Sequence, residues 1–361
     1  MPAATVQVNA HGAPGARPGT IKISVIGAAG GIGQSLSLLL KTNLSHYANV
    51  QLSLFDVNDK MLKGVCADLS HINNNVALTR ETSLEDTLHD SQLVVIPAGV
   101  PRKPGMTRDD LFQINAGIVK GIASALNGNN TVPFVLLISN PVNSLLPVLQ
   151  GVASPAYEGR CFGVTELDLV RASTFVNDFV DNATTDMPFV PVIGGHSGET
   201  ILPVFSSTRF NGIDFSAYNL LDDDIKMQKL VHRVQYGGDE IVQAKDGMGS
   251  ATLSMAYSAF LVSERFVSVL TGSQQECQGI FYTTLLKKDS CAIAPGAEKV
   301  MELTDNTSYF SMPCTVTKDG LSSIDPSLLL QLNNHELNTL LPTCINELKV
   351  NIHKGTEFAS S

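Results

Sequence analysis

The chain has 361 residues, which is enough for two domains that share an interface or for one large domain. Charged residues make up 16% of it and hydrophobic residues 43%, so we expect part of the surface to be covered by another subunit. The formal net charge of −10 argues against nucleic acids and anionic membranes as partners, because both bind clustered Lys and Arg side chains.

The cysteines and the N-terminal residues bear on the compartment. Six cysteines are scattered without a Cys-x-x-Cys pair or a metal-ligand spacing, which predicts reduced thiols and no metal site. No apolar run approaches the roughly 20 residues of a membrane-spanning helix. Residues 1–20 lack both the apolar core of a secretion signal and the composition of a transit peptide, so we expect a disordered tail. We expect an intracellular protein, with the cytoplasm slightly favoured over a mitochondrial or other organellar matrix.

The first predicted element is a strand that begins at Ile21 and runs into the turn Gly-Ala-Ala-Gly-Gly-Ile-Gly at 27–33. Apolar residues at helical spacing follow this turn, so a helix is expected to begin inside it. Such a turn lets backbone N–H groups approach a pyrophosphate beside the positive end of the helix. Glycines that serve only for positive φ are the alternative.

The second predicted strand, Val50–Phe55, ends at Asp56. An acid at this strand end is where a dinucleotide-binding fold holds the adenine ribose hydroxyls. It favours NAD over NADP, because a carboxylate repels a 2′-phosphate. The alternative is that Asp56 only caps a turn or a helix.

Strands and helices alternate up to residue 164, which predicts an α/β fold with a doubly wound parallel sheet of the Rossmann type. The further strands are expected at 76–79, 93–98, 134–138 and 161–164, and helices at 60–69 and 111–126. We place a domain boundary near Thr165, with a Rossmann domain at 21–164 and an α+β domain at 165–361. The second domain is expected to hold helices at 165–180, 222–245, 250–270 and 334–354, and strands at 189–193, 279–286 and 309–318.

Polar residues follow the carboxyl ends of two predicted parallel strands, where open α/β sheets bind ligands. Arg102, Lys103 and Arg108 lie in a proline-rich loop after the strand at 93–98, and they look like an anion site in an acidic chain. Asn140 follows the strand at 134–138 and could reach the same ligand. A solvated basic loop and an ordinary Asn-Pro turn are the alternatives.

Three residues of the second predicted domain form a further candidate site. Asp168 and Arg171 share one face of a predicted helix, although Thr165 and Asp168 also fit a capping box. His196 stands between glycine pairs after a predicted strand, so it has room around it and no apolar face to fill. A core histidine is the alternative.

Taken together, these stretches resemble the malate dehydrogenase family in its mitochondrial-type and bacterial branch. The similar motifs stand in the family's order between about Ile21 and Phe358. They are the glycine turn at 27–33, Pro-Arg-Lys-Pro-Gly-Met-Thr-Arg-Asp-Asp-Leu at 101–111, Ser-Asn-Pro-Val-Asn-Ser at 139–144, Leu-Asp-Leu-Val-Arg at 167–171, Ile-Gly-Gly-His-Ser-Gly at 193–198 and Gly-Ser-Ala-Thr-Leu-Ser-Met at 249–255. The stretch 287–309 is longer than is usual in that family, which implies an extra loop on the second domain.

The resemblance implies the reversible oxidation of (S)-malate to oxaloacetate with NAD, a place in the tricarboxylic acid cycle, and a homodimer. It implies that His196 exchanges the proton and that Asp168 orients it. Arg171 would bind the C1 carboxylate of the substrate, Arg102 its C4 carboxylate, and Arg108 its carbonyl. The residues implied to contact NAD are Gly27, Gly30, Gly33, Asp56, Asn115, Asn140 and Met255.

Elementary chemistry agrees with these implied roles. Hydride transfer to a 2-oxo acid leaves negative charge on an oxygen, so the site needs a proton donor and a nearby cation. Two other functions remain open at this stage. One is an NAD-dependent dehydrogenase of another 2-hydroxy acid, lactate-like or aromatic, for which a cationic Arg102 would be unsuited. The other is a non-catalytic NAD-binding relative.

Overall fold

The computed structural model describes residues 19–100, 108–179, 187–210, 213–214 and 224–361. The strands are β1 (Ile21–Ile26), β2 (Val50–Phe55), β3 (Ala77–Arg80), β4 (Leu93–Ile96), β5 (Phe134–Leu137), β6 (Cys161–Gly163), β7 (Val192–Gly194), β8 (Ile201–Pro203), β9 (Arg209–Phe210), β10 (Ile213–Asp214), β11 (Glu276–Thr284), β12 (Tyr309–Thr317) and β13 (Gly320–Ile324).

The helices alternate with these strands in the first half and cluster in the second. They are α1 (Gly31–Asn43), α2 (Asp59–Ser70), α3 (Leu84–Leu88), α4 (Arg108–Asn127), α5 (Val142–Val152), α6 (Glu166–Phe179), α7 (Asp224–Ala244), α8 (Leu253–Leu270), α9 (Ala297–Leu303), α10 (Ser327–Leu330) and α11 (Leu341–Ser360). A π-helical turn, Glu336–Leu340, leads into α11.

The first six strands form a parallel sheet in the order β3-β2-β1-β4-β5-β6. The doubly wound parallel sheet predicted from the sequence is therefore confirmed. Strand β1 pairs with β2 on one side and with β4 on the other, so the strand order reverses between β1 and β4. In open α/β sheets this reversal opens a crevice at the carboxyl ends of the strands, where ligands bind.

The same sheet continues beyond residue 164 with antiparallel strands. Strand β11 pairs with β6 at Tyr282 and Gly163, β12 lies beside β11, and β7 joins β12 through Gly194 and Ser311. This arrangement brings the end of β7 and the end of β6 to the same side of the sheet. Because His196 follows β7 and Asp168 follows β6, the topology itself brings the two residues near each other.

An aromatic cluster makes the hydrophobic core continuous between the parallel and antiparallel strands. Phe134 of β5 and Phe162 of β6 pack against Phe266 of α8, with ring centroids 5.0 and 5.3 Å away. Phe281 of β11 contacts both Phe162 and Phe266 at 5.6 Å. All four rings are fully buried. The two halves of the sheet therefore share one core.

Helix α8 is part of that core. Among the described residues it is the one helix whose length and composition would allow it to cross a membrane, and 61% of that stretch is buried inside the protein. It packs along α1, where the Thr252 side chain lies 3.1 Å from the position that a Cβ on Gly31 would take. Its apolar composition is thus explained by burial in the fold.

Two predicted segments differ from the structure. The strand expected at 189–193 begins only at Val192, and Phe189 forms an isolated bridge to Arg209. The extra loop expected at 287–309 contains α9, which starts after Gly296 in a left-handed conformation. Helix α9 has seven residues and buries only Ala297 and Val300. Two buried positions give too weak a periodic pattern to predict a helix.

The glycine turn yields a test of stability. Gly27 has φ +97°, and a Cβ there would lie 2.7 Å from the backbone of Ala98. Gly30 has φ −71°, and a Cβ there would lie 3.4 Å from the nearest atom. We expect Gly27→Ala to lower the free energy of unfolding by about 1–3 kcal/mol, because it adds both backbone strain and overpacking.

Gly30→Ala is the matched control, and we expect a change below about 0.5 kcal/mol. Urea denaturation of both variants without cofactor measures the difference. Equal stability of the two variants would contradict this account of the turn.

Candidate active site

The end of β2 is joined to the glycine turn by hydrogen bonds. The Phe55 carbonyl accepts the N–H groups of Gly27 and Ala28, at 2.8 and 3.0 Å. The Asp56 carboxylate accepts the N–H of Ala29 through Oδ2 and that of Asn58 through Oδ1, both at 2.9 Å. The bond to Asn58 is the turn cap considered as an alternative. Because a carboxylate has about four acceptor sites, it leaves capacity for a ribose hydroxyl.

The turn forms a narrow cradle at the start of α1. A Cβ on Gly33 would lie 2.1 Å from the Gly27 carbonyl oxygen, so only glycine fits there. The N–H groups of the first turn of α1 have no intrahelical acceptor. Together with the helix dipole they suit the pyrophosphate of a dinucleotide. The residues present therefore fit the cofactor predicted from the sequence.

Asn115 connects the ends of the two neighbouring strands β4 and β5. It is buried in α4, and its Oδ1 accepts the Val100 N–H at 2.9 Å while its Nδ2 donates to the Asn140 carbonyl at 2.8 Å. The Asn140 side chain is exposed at the same edge. The contacts of Asn115 in the structure are thus to the backbone. A contact between Asn115 and the cofactor stays a prediction.

Of the other predicted binding residues, one is buried in the interior and two lie wholly or partly outside the described residues. Met255 is buried in the first turn of α8, the helix that packs along α1. Arg102 lies outside the described residues. Arg108 begins α4, and its side chain also lies outside them.

His196 and Asp168 form a buried pair. The Nδ1 atom of His196 lies 2.5 Å from Oδ2 of Asp168, with the Asp168 side chain fully buried and the His196 side chain 8% exposed. The carboxylate therefore accepts the Nδ1 proton, which leaves Nε2 as the ring nitrogen that can exchange a proton. A core histidine would also be buried and bonded in this way, so the role of His196 in proton exchange stays a prediction.

The capping box considered for Thr165 and Asp168 is not formed. The Thr165 hydroxyl shares a hydrogen bond with Ser311 of β12 at 2.9 Å, and the Asp168 carboxylate is turned towards His196. Thr165 thus fastens the start of α6 to the sheet. Asp168, one turn further on, is free to project into the site.

Arg171 lies on the same face of α6. Its Nη1 is 3.9 Å from Oδ1 of Asp168, an oxygen that has no hydrogen bond to any described residue. Burial lowers the pKa of the Arg171 guanidinium, and the carboxylates of Asp168 and Glu240 oppose that shift. The guanidinium lies against α7 at Gly238, where a Cβ would be 3.8 Å from Nη1. Helix α7 therefore forms a wall of the site.

Two connections near the site were missed by the sequence analysis. Asn143, in the first turn of α5, accepts the His196 N–H at 2.8 Å and is itself buried. Glu166 and Arg265 form a bidentate ion pair between α6 and α8, at 2.7 and 2.8 Å. Asn143 stands inside the motif at 139–144, and that position was the sequence signal that could have identified it. Nothing in the sequence pairs Glu166 with a residue 99 positions away.

The arrangement can exchange one proton next to a bound anion. A histidine held by a carboxylate supplies the proton, and a guanidinium at the same face supplies the positive charge. Among the described residues no group of three or more His, Cys, Asp or Glu side chains could hold a metal ion. The chemistry that these residues offer is therefore acid–base catalysis on an anionic substrate.

Comparisons with known proteins agree with this description. A sequence model of the lactate/malate dehydrogenase NAD binding domain matches residues 21–163, and one of the lactate/malate dehydrogenase alpha/beta C-terminal domain matches residues 165–359. The chain therefore belongs to the lactate/malate dehydrogenase family, and its N-terminal part is an NAD-binding domain. The resemblance predicted from the motifs is confirmed.

Individual relatives are similar over nearly their whole length. The chain is 44% identical to the cytoplasmic malate dehydrogenase of Saccharomyces cerevisiae, over 96% of this chain and 97% of that protein. It is 41% identical to the peroxisomal malate dehydrogenase of the same yeast, over 94% and 98%. A crystal structure of Cryptosporidium parvum malate dehydrogenase is 25% identical, with a TM-score of 0.75 over 94% of this chain and 99% of that one.

Proposed function

We propose that this protein is an NAD-dependent malate dehydrogenase that interconverts (S)-malate and oxaloacetate. The observation that carries the proposal is the buried His196–Asp168 pair with Arg171 beside it, in a turn that Asn143 connects to the segment after β5. Relatives that are malate dehydrogenases, with identities above 40%, support the same reaction. The tricarboxylic acid cycle is one process in which this reaction would serve.

His196 is the proposed acid and base of the reaction. NAD, when bound, supplies the acceptor for the hydride that leaves C2 of malate. As C2 becomes a carbonyl, Nε2 of His196 takes the hydroxyl proton, and it returns that proton in the direction of reduction. The Asp168 carboxylate stabilises the imidazolium that forms, because it already accepts the Nδ1 proton at 2.5 Å. Asp168 is thus the proposed orienting residue.

Three arginines and one asparagine are proposed to bind the substrate. Arg171 would bind the C1 carboxylate in a bidentate manner, since its guanidinium is partly exposed on the face of α6 that carries Asp168. Arg102 would bind the C4 carboxylate, Arg108 would polarise the carbonyl, and Asn140 would contact the substrate and the nicotinamide half of NAD. These three roles rest on the family's motifs.

The proposed NAD contacts follow the geometry of the glycine turn. Gly27, Gly30 and Gly33 would leave room for the pyrophosphate, and Asp56 would bind the adenine ribose hydroxyls with its remaining acceptor capacity. Asn115 and Met255 would contribute at the nicotinamide end. The carboxylate of Asp56 would disfavour NADP.

We also propose that the chain divides near Thr165 into a cofactor domain at 21–164 and a substrate domain at 165–361. The extents of the two family matches support that division. A location in the cytoplasm, with an organellar matrix as the alternative, is our proposal for the compartment. Six cysteines without a disulfide fit a reducing environment.

A homodimer is proposed from an exposed apolar surface. Leu38 of α1, Met61 of α2, and Leu253 and Tyr257 of α8 are all exposed, and α1 contacts both other helices. We call these four residues the helix patch. An apolar surface of this kind on adjoining helices is typical of an interface between subunits.

The His196 assignment predicts a large loss of turnover on substitution. We expect His196→Asn to lower kcat for oxaloacetate by about 10²–10⁴-fold, because general acid–base catalysis contributes that much. NADH affinity, measured by fluorescence titration, should change by less than about threefold. His353→Asn is the matched control, since His353 is 78% exposed on α11. A His196→Asn enzyme with near-native kcat would remove the assignment.

The identity of the substrate is tested at Arg102. We expect Arg102→Gln to lower kcat/KM for oxaloacetate roughly 10- to 150-fold, because a charge-assisted hydrogen bond contributes about 1.5–3 kcal/mol. The kcat/KM for pyruvate should fall far less, since the methyl group of pyruvate offers Arg102 no partner. The measurement compares both substrates in the native and variant enzymes. A native preference for a monocarboxylate would instead favour a dehydrogenase of another 2-hydroxy acid.

The proposed role of the helix patch is tested by the oligomeric state of the protein. We expect the native protein to sediment as a dimer, and Leu253→Glu to shift it towards the monomer because a carboxylate would be buried in the interface. Leu330→Glu is the matched control, since Leu330 is also an exposed leucine but lies on α10, outside the patch. Sedimentation velocity at micromolar concentration measures both. A dimer that tolerates Leu253→Glu would rule out this surface.

A further inference from the structure

One asparagine side chain makes hydrogen bonds to the turn that carries His196. The Oδ1 atom of Asn143 accepts the N–H of His196 at 2.8 Å. Its Nδ2 donates to the hydroxyl oxygens of Ser197 and Thr200, at 2.9 and 3.1 Å. Asn143 is 1% exposed. A single buried amide thus contacts three residues of the turn that follows β7.

A glycine in this turn leaves room for the Asn143 amide. A Cβ on Gly195 would lie 2.8 Å from both polar atoms of the Asn143 side chain and 2.7 Å from the Thr200 hydroxyl. Glycine at 195 therefore lets the amide lie directly against the backbone next to His196. The Thr200 hydroxyl in turn bonds the N–H and the carbonyl of Ser197, at 3.0 and 2.8 Å. The turn has little freedom to move independently of Asn143.

Asn143 itself is fixed by the chain on either side. Its carbonyl accepts the Tyr282 hydroxyl of β11 at 3.0 Å, in the fully buried core. Three residues earlier stands Asn140, whose carbonyl is bound by Asn115 at 2.8 Å. Asn143 therefore belongs to the same segment, after β5, that is proposed to face the nicotinamide and the substrate. It connects that segment to the proton-exchanging ring.

We propose that Asn143 is a positioning residue that sets the distance between the cofactor side of the site and His196. Asp168 of α6 bonds the Nδ1 atom of the His196 ring, while Asn143 of α5 bonds the backbone N–H of His196. Hydride transfer and proton transfer occur at two adjacent atoms of one substrate, so the two sides of the site must be spaced correctly at the same moment. This inference rests on the proposed function of His196.

The expected signature is a slower chemical step with unchanged cofactor binding. Asn143→Ala leaves the His196 N–H without its acceptor and frees the turn, and a displacement near 1 Å costs about 10²-fold in rate. We expect kcat to fall about 10- to 100-fold and NADH affinity to stay within threefold. We also expect the primary deuterium isotope effect on kcat, measured with NADH deuterated at the transferred position, to increase because chemistry becomes rate-limiting.

The control separates positioning from stability. Asn74, between α2 and β3, also joins two segments through its amide, since it accepts from Lys41 Nζ at 2.7 Å and donates to the Lys41 carbonyl at 2.6 Å. Strand β3, which follows Asn74, is the edge strand at the other end of the strand order from β7 and β8. We expect Asn74→Ala to lower the melting temperature while kcat per NADH-binding site and the isotope effect stay native.

Ser197→Ala guards against a failure of Asn143→Ala to fold. Ser197 is exposed, and its substitution removes one of the three contacts of the amide. We expect a three- to tenfold lower kcat with a raised isotope effect. Native kcat per NADH-binding site in both variants overturns the inference, and so does native kcat in Ser197→Ala if Asn143→Ala does not fold. In either case, malate turnover by the unsubstituted protein still upholds the proposed function. A native protein without turnover of any 2-hydroxy acid overturns both.

Discussion

The buried carboxylate of Asp168 is the constraint on which the site depends. A carboxylate that is fully buried costs free energy unless hydrogen bonds and opposite charges compensate for it. His196 bonds one of its oxygens, and Arg171 approaches the other at 3.9 Å without bonding it. Oδ1 of Asp168 therefore has no hydrogen bond to compensate for its burial within the described part of the chain. The Asp168 carboxylate makes its closest contact with His196, and this contact fixes the orientation of the ring.

The topology of the sheet explains how residues far apart in sequence reach this carboxylate. Parallel strands β1 to β6 present the glycine turn, Asn115 and Asn140 along one edge, while the antiparallel strands β11 and β12 carry β7 back to the same edge. The hydrogen bond between Thr165 and Ser311 fastens the start of α6 to β12. The glycine turn and the His196–Asp168 pair therefore come from different parts of one continuous sheet, and Gly195 lets the Asn143 amide lie close to the backbone next to His196.

The sequence predicts the features whose signals are local. Val50–Phe55 is predicted to the residue because an apolar run ends at an acid, and the glycine turn is predicted because a strand meets closely spaced glycines. The pair of His196 and Asp168 follows only from the family's motifs, since their side chains meet across 28 residues. Helix α9, the ion pair of Glu166 with Arg265, and the contacts of Asn143 depend on tertiary packing. No periodicity along the chain encodes such packing.

The charge of the site also bears on which substrates it suits. Arg171 faces two carboxylates of the protein, Asp168 and Glu240, so part of its positive charge is balanced before any substrate binds. A dicarboxylate adds two more negative charges to a chain whose net charge is −10. Arg171 alone cannot compensate for both. Under the proposed function further cations are needed, and we propose that Arg102, Lys103 and Arg108 of the motif at 101–111 supply them. A monocarboxylate would need fewer, so this surplus of basic residues favours the dicarboxylate.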